Sequence, residues 1–420
     1  MKNKGKQSIL IFTDCYIYGG SEKLMAFLLE NEILNKDFEL LYSYRKHKEY
    51  EIGLKNEGLF DRENNFPLIL MSNHTLFYKI NCLNISKYLK GAMKVPFFLL
   101  AKFKIYFLWN LVRFILLLIR TKPDIIHVNN GGYPGASSCS VIVLANYLTI
   151  KANIVYQVNN QALDRKSYFD KIYDKFINKN VNCFINASVR AKQRLVEARN
   201  FSADKIFLVN NTAPLPIIKN NRELILKELN IPLDSFLIVQ VAFLSERKGQ
   251  KYLIDALCNL FRKELLSTKK VYCAFVGNGE QEDYLRDYIN ELGLASNIFL
   301  LGYKNNSEDY IAACDLFLLP SIKDEDMPLV LLSALGYGKP IVATDFAGIS
   351  QVLDTNVNGV LILNDMLTFV DNLSSEIHRL YHNKDLRTLL GINAKSTYAN
   401  YNPESYGLKL KQIYDQLHAS

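Results

Sequence analysis

Short apolar runs recur along the whole chain, each followed by a longer stretch in which apolar residues return at helical spacing. Runs at 8–13, 39–43, 125–129, 154–158 and 183–187 predict one series of buried strands, and runs at 236–242, 271–276, 298–302, 316–319 and 340–344 predict a second. Strands alternating with helices predict parallel sheets covered on both faces. The alternation breaks at 212–216, where Ala213-Pro214-Leu215-Pro216 fits no regular element and the polar Lys219-Asn220-Asn221-Arg222 follows. The pattern therefore predicts an α/β chain of two doubly wound, Rossmann-like domains facing a cleft, at 1–212 and 213–400. A last helix at 401–420 opens on the start signal Asn402-Pro403-Glu404-Ser405. In such sheets ligands bind beyond the carboxyl ends of the strands, so the chemistry is sought in those loops.

Composition leaves this picture intact: 420 residues, 49% hydrophobic and 22% charged, let both halves bury a core and exclude a disordered or repetitive chain. Seven cysteines stand singly without a Cys-x-x-Cys pair and six histidines are dispersed, so neither a disulfide framework nor a metal site is expected. A reducing cytosol is the expected compartment. The start Met1-Lys2-Asn3-Lys4-Gly5-Lys6 is basic, but the apolar run at 9–12 is too short for a signal-peptide core and reads as the first strand.

Charge changes the picture in one place. The net charge is +8, and between Glu63 and Asp124 the chain has nine Lys and Arg and no acidic residue. Within that segment, 95–120 is very apolar yet interrupted by Lys102, Lys104 and Arg113. Each cation in mid-span costs about 3 kcal/mol on insertion scales, which argues against a spanning helix. Two readings stay open: a helix lying on an anionic membrane surface, or a buried core helix followed by a solvated basic face. A nucleic-acid surface is excluded by the long aliphatic and aromatic runs without polar interleaving.

Candidate chemistry lies mostly in the second half. After the strand at 316–319, Pro320-Ser321 ends the run, Lys323-Asp324-Glu325-Asp326 forms a mostly acidic loop, and a helix begins near Pro328. N–H groups around Met327, Pro328 and Leu329 would meet phosphate oxygens, while a carboxylate such as Glu325 accepts hydrogen bonds from sugar hydroxyls. An ordinary βαβ unit with a polar loop shows the same residue types. Beyond the strand at 236–242, Arg247 and Lys248 precede Gly249; fixed cations there neutralise a departing pyrophosphate, although a solvated turn has the same texture. Gly277 and Gly279 in Val276-Gly277-Asn278-Gly279, and Leu301-Gly302-Tyr303, are strand-end turns where a ligand would approach the backbone. In the first half, Tyr18-Gly19-Gly20-Ser21 places Gly19 and Gly20 before a helix start that can meet anions or sugar groups.

In order and spacing these pieces resemble the large retaining GT-B glycosyltransferase family numbered four in the carbohydrate-enzyme classification, which includes many capsule, O-antigen and lipid-glycosylating enzymes. The resemblance covers nearly the whole chain and is strongest from Val239 to Val360. It is carried by Gly19-Gly20, Lys248-Gly249, Gly277-x-Gly279, Pro320-Ser321, the run from Lys122-Pro123-Asp124 to His127, and Asn358-Gly359. It implies the GT-B fold, a nucleoside diphosphate sugar as donor, no separate cofactor, and a final helix crossing back onto the first domain. It further implies that Lys248 binds the donor pyrophosphate, that Glu325 sits by the donor sugar as first member of a Glu-x7-Glu motif, and that the backbone at Met327–Leu329 meets the donor. Ser333 stands at the second glutamate, which holds the ribose, Phe243 at a common arginine, Asp326 at a glycine, Gln351 at a glutamate, and Gln157-Val158-Asn159-Asn160 where many relatives have a histidine. Loss of a charge-assisted ribose contact costs a few kcal/mol, and a serine hydroxyl restores only part of that.

Two functional expectations follow. One is a cytoplasmic, membrane-peripheral hexosyltransferase that moves sugar with retention onto a glycan or lipid-linked acceptor in bacterial surface polysaccharide synthesis, with an anionic membrane surface and no nucleic acid among its partners. The other, motivated by the departures, is a catalytically weakened GT-B protein that scaffolds a polysaccharide assembly.

Overall fold

The computed structural model describes residues 6–419 apart from 74–76, 78, 79 and 324. His74, Lys79, Asp324 and the basic start at 1–5 therefore lie outside the described residues. The chain divides into two compact units: 1–186 with 192–208 and 407–420, and 187–191 with 209–406.

The first unit is a seven-stranded parallel sheet of β1 (Gln7–Thr13), β2 (Phe38–Arg45), β3 (Asn65–Leu68), β4 (Ile125–Asn130), β5 (Asn153–Val158), β6 (Cys183–Asn186) and β7 (Ile206–Leu208). Its order is β3-β2-β1-β4-β5-β6-β7, so the winding direction reverses between β1 and β4. The second unit has six parallel strands: β8 (Phe236–Val241), β9 (Val271–Val276), β10 (Ile298–Leu300), β11 (Leu316–Leu319), β12 (Ile341–Thr344) and β13 (Val360–Ile362). Their order is β10-β9-β8-β11-β12-β13, reversing between β8 and β11. At such a reversal the flanking loops diverge and leave room for a ligand.

All ten strands expected from the apolar runs are present; β3, β7 and β13 are additional. Each of these is an edge strand of three or four residues, β3 carries Pro67, and two of the three residues of β7 are exposed. Edge strands bury less, so their apolar signal is weak.

Helices that bear on function are α1 (Gly20–Glu30), α2 (Lys87–Lys102), α3 (Ile105–Thr121), α4 (Leu329–Gly336) and α5 (Pro403–Ala419). The apolar 95–120 region is not one helix: the chain breaks at Phe103 and Lys104, the latter at φ 61°. Helix α2 has no buried residue, whereas α3 buries Tyr106, Asn110, Phe114, Leu117 and Leu118 on one side. The core reading therefore holds for one face of α3 and fails for α2. None of the described helices is long and apolar enough to cross a membrane. From Gly407 on, α5 belongs to the first unit, where Tyr414 meets His127 and Lys411 pairs with Asp37 at 2.8 Å.

Candidate functional site

The second unit gathers Arg247, Lys248 and Glu325. Beyond β8 the chain makes one 3-10 turn, Glu246–Lys248, and Gly249 ends it at φ 74°. Glycine is required there: a Cβ would stand 1.9 Å from the Pro320 carbonyl oxygen, so the turn lies directly against the end of β11. The Ile322 N–H donates to the Arg247 carbonyl at 2.8 Å and fastens the two loops to each other. The Gln240 side chain donates to the Lys248 carbonyl at 2.8 Å. So positioned, the Lys248 ammonium pairs with the Glu325 carboxylate, both side chains being buried, and the Arg247 guanidinium lies 3.8 Å from the same oxygen. Two cations from one loop thus converge on one carboxylate from the other.

Helix α4 starts immediately beyond this cluster, and Pro328 at its N-cap offers no side chain to the first-turn N–H groups. Pro328 and Leu329 are half-buried; Met327 is buried and its carbonyl accepts from the Asn211 amide at 2.7 Å. Ser333 is buried on the second turn of α4. Tyr303 is exposed.

Gly277 and Gly279 act differently from the expectation that they admit a ligand. A Cβ on Gly277 would meet the Ala242 carbonyl oxygen at 2.0 Å, and one on Gly279 the Leu244 carbonyl oxygen at 2.2 Å. Both let the loops after β8 and β9 close on each other, fixed by hydrogen bonds from Leu244 N–H to Asn278 and from Gln281 N–H to Leu244, each 3.0 Å. The space is taken by the chain's own backbone, a packing that sequence spacing does not reveal.

Sequence reasoning assigns no binding role to several polar side chains at this end of the sheet. Ser245 Oγ, Ser321 Oγ, Thr344 Oγ1, Gln240 Oε1 and Asp326 Oδ2 are buried without a hydrogen-bond partner. They come from β8, β11, β12 and the segments that follow them. Buried polar groups are normally paired, so orphans at one end of a sheet make it a candidate place for polar ligand atoms. The available signal was a hydroxyl residue closing or following each apolar run.

Asp326 stands where the resemblance places a glycine. Its other oxygen accepts from the Ser188 hydroxyl, and a Cβ on Gly348 would stand 2.7 Å from that oxygen. Burial raises its carboxyl to about 7, the Ser188 bond opposing and the Glu325 charge adding to the shift. Gln351, at another departure, has its side-chain oxygen taken by the Val189 N–H at 2.8 Å.

In the first unit, Gly19 caps α1 with its N–H on Glu22 at 3.2 Å, and a Cβ on Gly20 would meet nothing within 4 Å. Packing does not explain a glycine at position 20. Behind this loop a buried chain of polar contacts runs from Tyr414 to His127 (2.6 Å), Gln157 (2.9 Å), Asn159 (2.8 Å), Asn129 (2.7 Å), Thr13 (3.2 Å) and Glu22 (3.5 Å). His127 is wholly buried and burial lowers it to about 4, so the imidazole is neutral, donating from Nε2 to Gln157 and accepting at Nδ1 from Tyr414. It is a structural histidine.

Comparison with known proteins bears on both units. Residues 221–397 match the family model described as glycosyl transferases group 1. The chain is 30% identical over 156 residues to the UDP-Gal:alpha-D-GlcNAc-diphosphoundecaprenol alpha-1,3-galactosyltransferase of Escherichia coli, covering 37% of this chain and 40% of that protein. It is 25% identical over 171 residues to the lipopolysaccharide core biosynthesis glycosyltransferase LpsE of Rhizobium meliloti, covering 40% and 46%. The chain thus spans less than half the length of these curated relatives. Among solved structures, Anabaena Alr3699/HepE in complex with UDP superposes with a TM-score of 0.75 at 16% identity, covering 98% of this chain and 100% of that one. The pneumococcal O-GlcNAc transferase GtfA in complex with UDP and GlcNAc gives 0.70 at 11% identity, covering 99% and 100%. Residues 221–397, within the second unit, are thus similar to group 1 glycosyl transferases, in a chain of GT-B fold.

Proposed function

We propose that this chain is a nucleotide-sugar-dependent glycosyltransferase that moves a hexose-type sugar, with retention at the anomeric carbon, onto a glycan or lipid-linked acceptor in bacterial surface polysaccharide synthesis. The observation that carries the reading is the Arg247–Lys248–Glu325 cluster beside the uncapped start of α4, with unpartnered buried hydroxyls at Ser245, Ser321 and Thr344 on the neighbouring strand ends. Support comes from the matched domain at 221–397 and from relatives whose names include lipopolysaccharide and undecaprenol-linked transferases.

In this reading the bond from the sugar C1 to the diphosphate breaks and its electron pair stays on the phosphate oxygen. Arg247 and Lys248 neutralise that developing charge, and the first-turn N–H groups of α4 add a partial positive charge. The acceptor hydroxyl bonds to C1 and gives its proton to the phosphate oxygen just released, the base that departure itself creates. Glu325 holds Lys248 in place and accepts from sugar hydroxyls. Ser333 replaces a carboxylate at the ribose, and the hydroxyls of Ser321 and Thr344 are further polar partners for the donor.

Calorimetric titration with nucleoside diphosphates and their sugars, for wild type and for Glu325→Gln and Lys248→Ala, tests the reading. One diphosphate is expected to bind, with Lys248→Ala abolishing binding and Glu325→Gln sparing diphosphate affinity while losing transfer. No binding of any diphosphate at millimolar concentration sinks it and favours the scaffolding alternative. The anomeric configuration of the product, read by NMR, decides retention.

A further inference from the structure

We propose that the α2–α3 hairpin docks this protein on a membrane surface rich in anionic lipid, lying in the headgroup plane. Helix α3 is apolar on two opposite sides. One side is the core face already described; the other carries Ile105, Leu108, Val112, Leu116 and Ile119, spaced three or four apart and therefore in one stripe. Leu108, Val112 and Leu116 are 53%, 53% and 56% exposed. The outer face of a surface helix is ordinarily polar, and a contiguous apolar face of this kind marks an interaction site. On α2, Phe98 and Leu99 extend the same character, at 55% and 48% exposure.

Charge selects the occupant. The hairpin lies within the stretch between Glu63 and Asp124 that has no acidic residue, and Lys87, Lys102, Lys104 and Arg120 are exposed on it. A second copy of this chain pressed against the stripe in a two-fold contact would oppose lysines to lysines. An anionic lipid surface instead accepts the apolar stripe at the acyl boundary and each cation at the phosphates, where a basic residue contributes about a fivefold gain in binding. No described helix is long and apolar enough to span, so the contact is interfacial. Docking stands on the hairpin alone, and it rests on the proposed function only for its purpose, bringing a lipid-linked acceptor to the donor domain.

Trp109, the chain's single tryptophan, lies beside the exposed stripe with its indole N–H donating to the Ile69 carbonyl at 3.0 Å. Its fluorescence therefore reports this contact directly. Full-length protein is mixed with phosphatidylcholine vesicles with or without phosphatidylglycerol, and co-sedimentation, Trp109 emission and quenching by brominated acyl chains are followed. Anionic vesicles are expected to bind, blue-shift and quench Trp109. Leu108→Glu/Leu116→Glu is expected to weaken binding at least about 10-fold. Lys102→Gln/Lys104→Gln is expected to weaken it about 25-fold. Both variants keep wild-type circular dichroism and diphosphate affinity. Docking is overturned if neither vesicle binds, if neutral vesicles bind equally well, or if the substitutions change nothing. It is also overturned if the stripe instead supports a concentration-dependent dimer that Leu108→Glu/Leu116→Glu dissolves, or binds an acidic protein in preference to vesicles. Loss of all diphosphate binding with vesicle binding intact overturns the proposed transfer and leaves docking standing.

Discussion

The two sheets treat the polar residues at their carboxyl ends in opposite ways. In the first unit, Thr13, Asn129, Gln157 and Asn159 complete one another's hydrogen bonds and tie His127 to Tyr414 on α5; Asn186, with its Oδ1 unpartnered, departs from this pattern. In the second, Ser245, Ser321, Thr344 and Asp326 are as deeply buried yet each leaves an atom unpartnered. A satisfied network rigidifies a fold, whereas an unsatisfied one costs stability that a ligand can restore. One doubly wound architecture thus closes its polar strand ends on one another in one unit and leaves several of them open in the other.

The sharpest way to break this contrast is Lys248→Ala. It leaves Glu325 buried without its ammonium partner, so a loss of roughly 3–5 kcal/mol in urea unfolding is expected along with diphosphate affinity. If Lys248→Ala binds diphosphate as wild type does, the second unit's cluster is structural like the first unit's network.

The pH response sharpens the contrast, because His127 in the first unit and Asp326 in the second are buried groups held in their neutral forms, one failing toward acid and the other toward neutrality. His127 ordinarily titrates at 6.5 and lies at about 4 in the fold; its contribution is complete above pH 6.5 and is lost as pH falls toward 4, about 3 kcal/mol in all. Asp326 ordinarily titrates at 3.8 and lies at about 7; its contribution is complete below pH 3.8 and is lost as pH rises through 7, roughly 4 kcal/mol in all. His127→Gln is expected to remove the acid-side loss and Asp326→Asn the loss toward neutrality, each read as a changed slope of unfolding free energy against pH. Unchanged slopes would show that neither group keeps its displaced protonation in solution.

The smallest effect separates the two glycine loops. Gly20→Ala puts a methyl into open space at a helix start, and stability is expected to shift by less than about 1 kcal/mol. Gly249→Ala, at φ 74° and against the Pro320 carbonyl, is expected to cost several times more. Reduced transfer in Gly20→Ala at unchanged melting temperature would assign the Gly19-Gly20 loop to ligand contact; unchanged transfer would make it a simple cap.

The sequence by itself determined the α/β class, ten of the thirteen strands, and Lys248 and Glu325 as candidates, because buried parallel strands are continuous apolar runs and the loop signals lie beside them. Only the tertiary structure decided that Gly277 and Gly279 make room for backbone, and that His127 is sealed by a tyrosine 287 positions away. Only it showed that Asp326 leans on Ser188, and that α3 is apolar toward both core and exterior. Periodicity reports which residues avoid water along one segment. Which backbone fills a glycine's empty side, and whether an apolar face finds a partner, depends on residues brought close from distant segments, information that no local window of sequence contains.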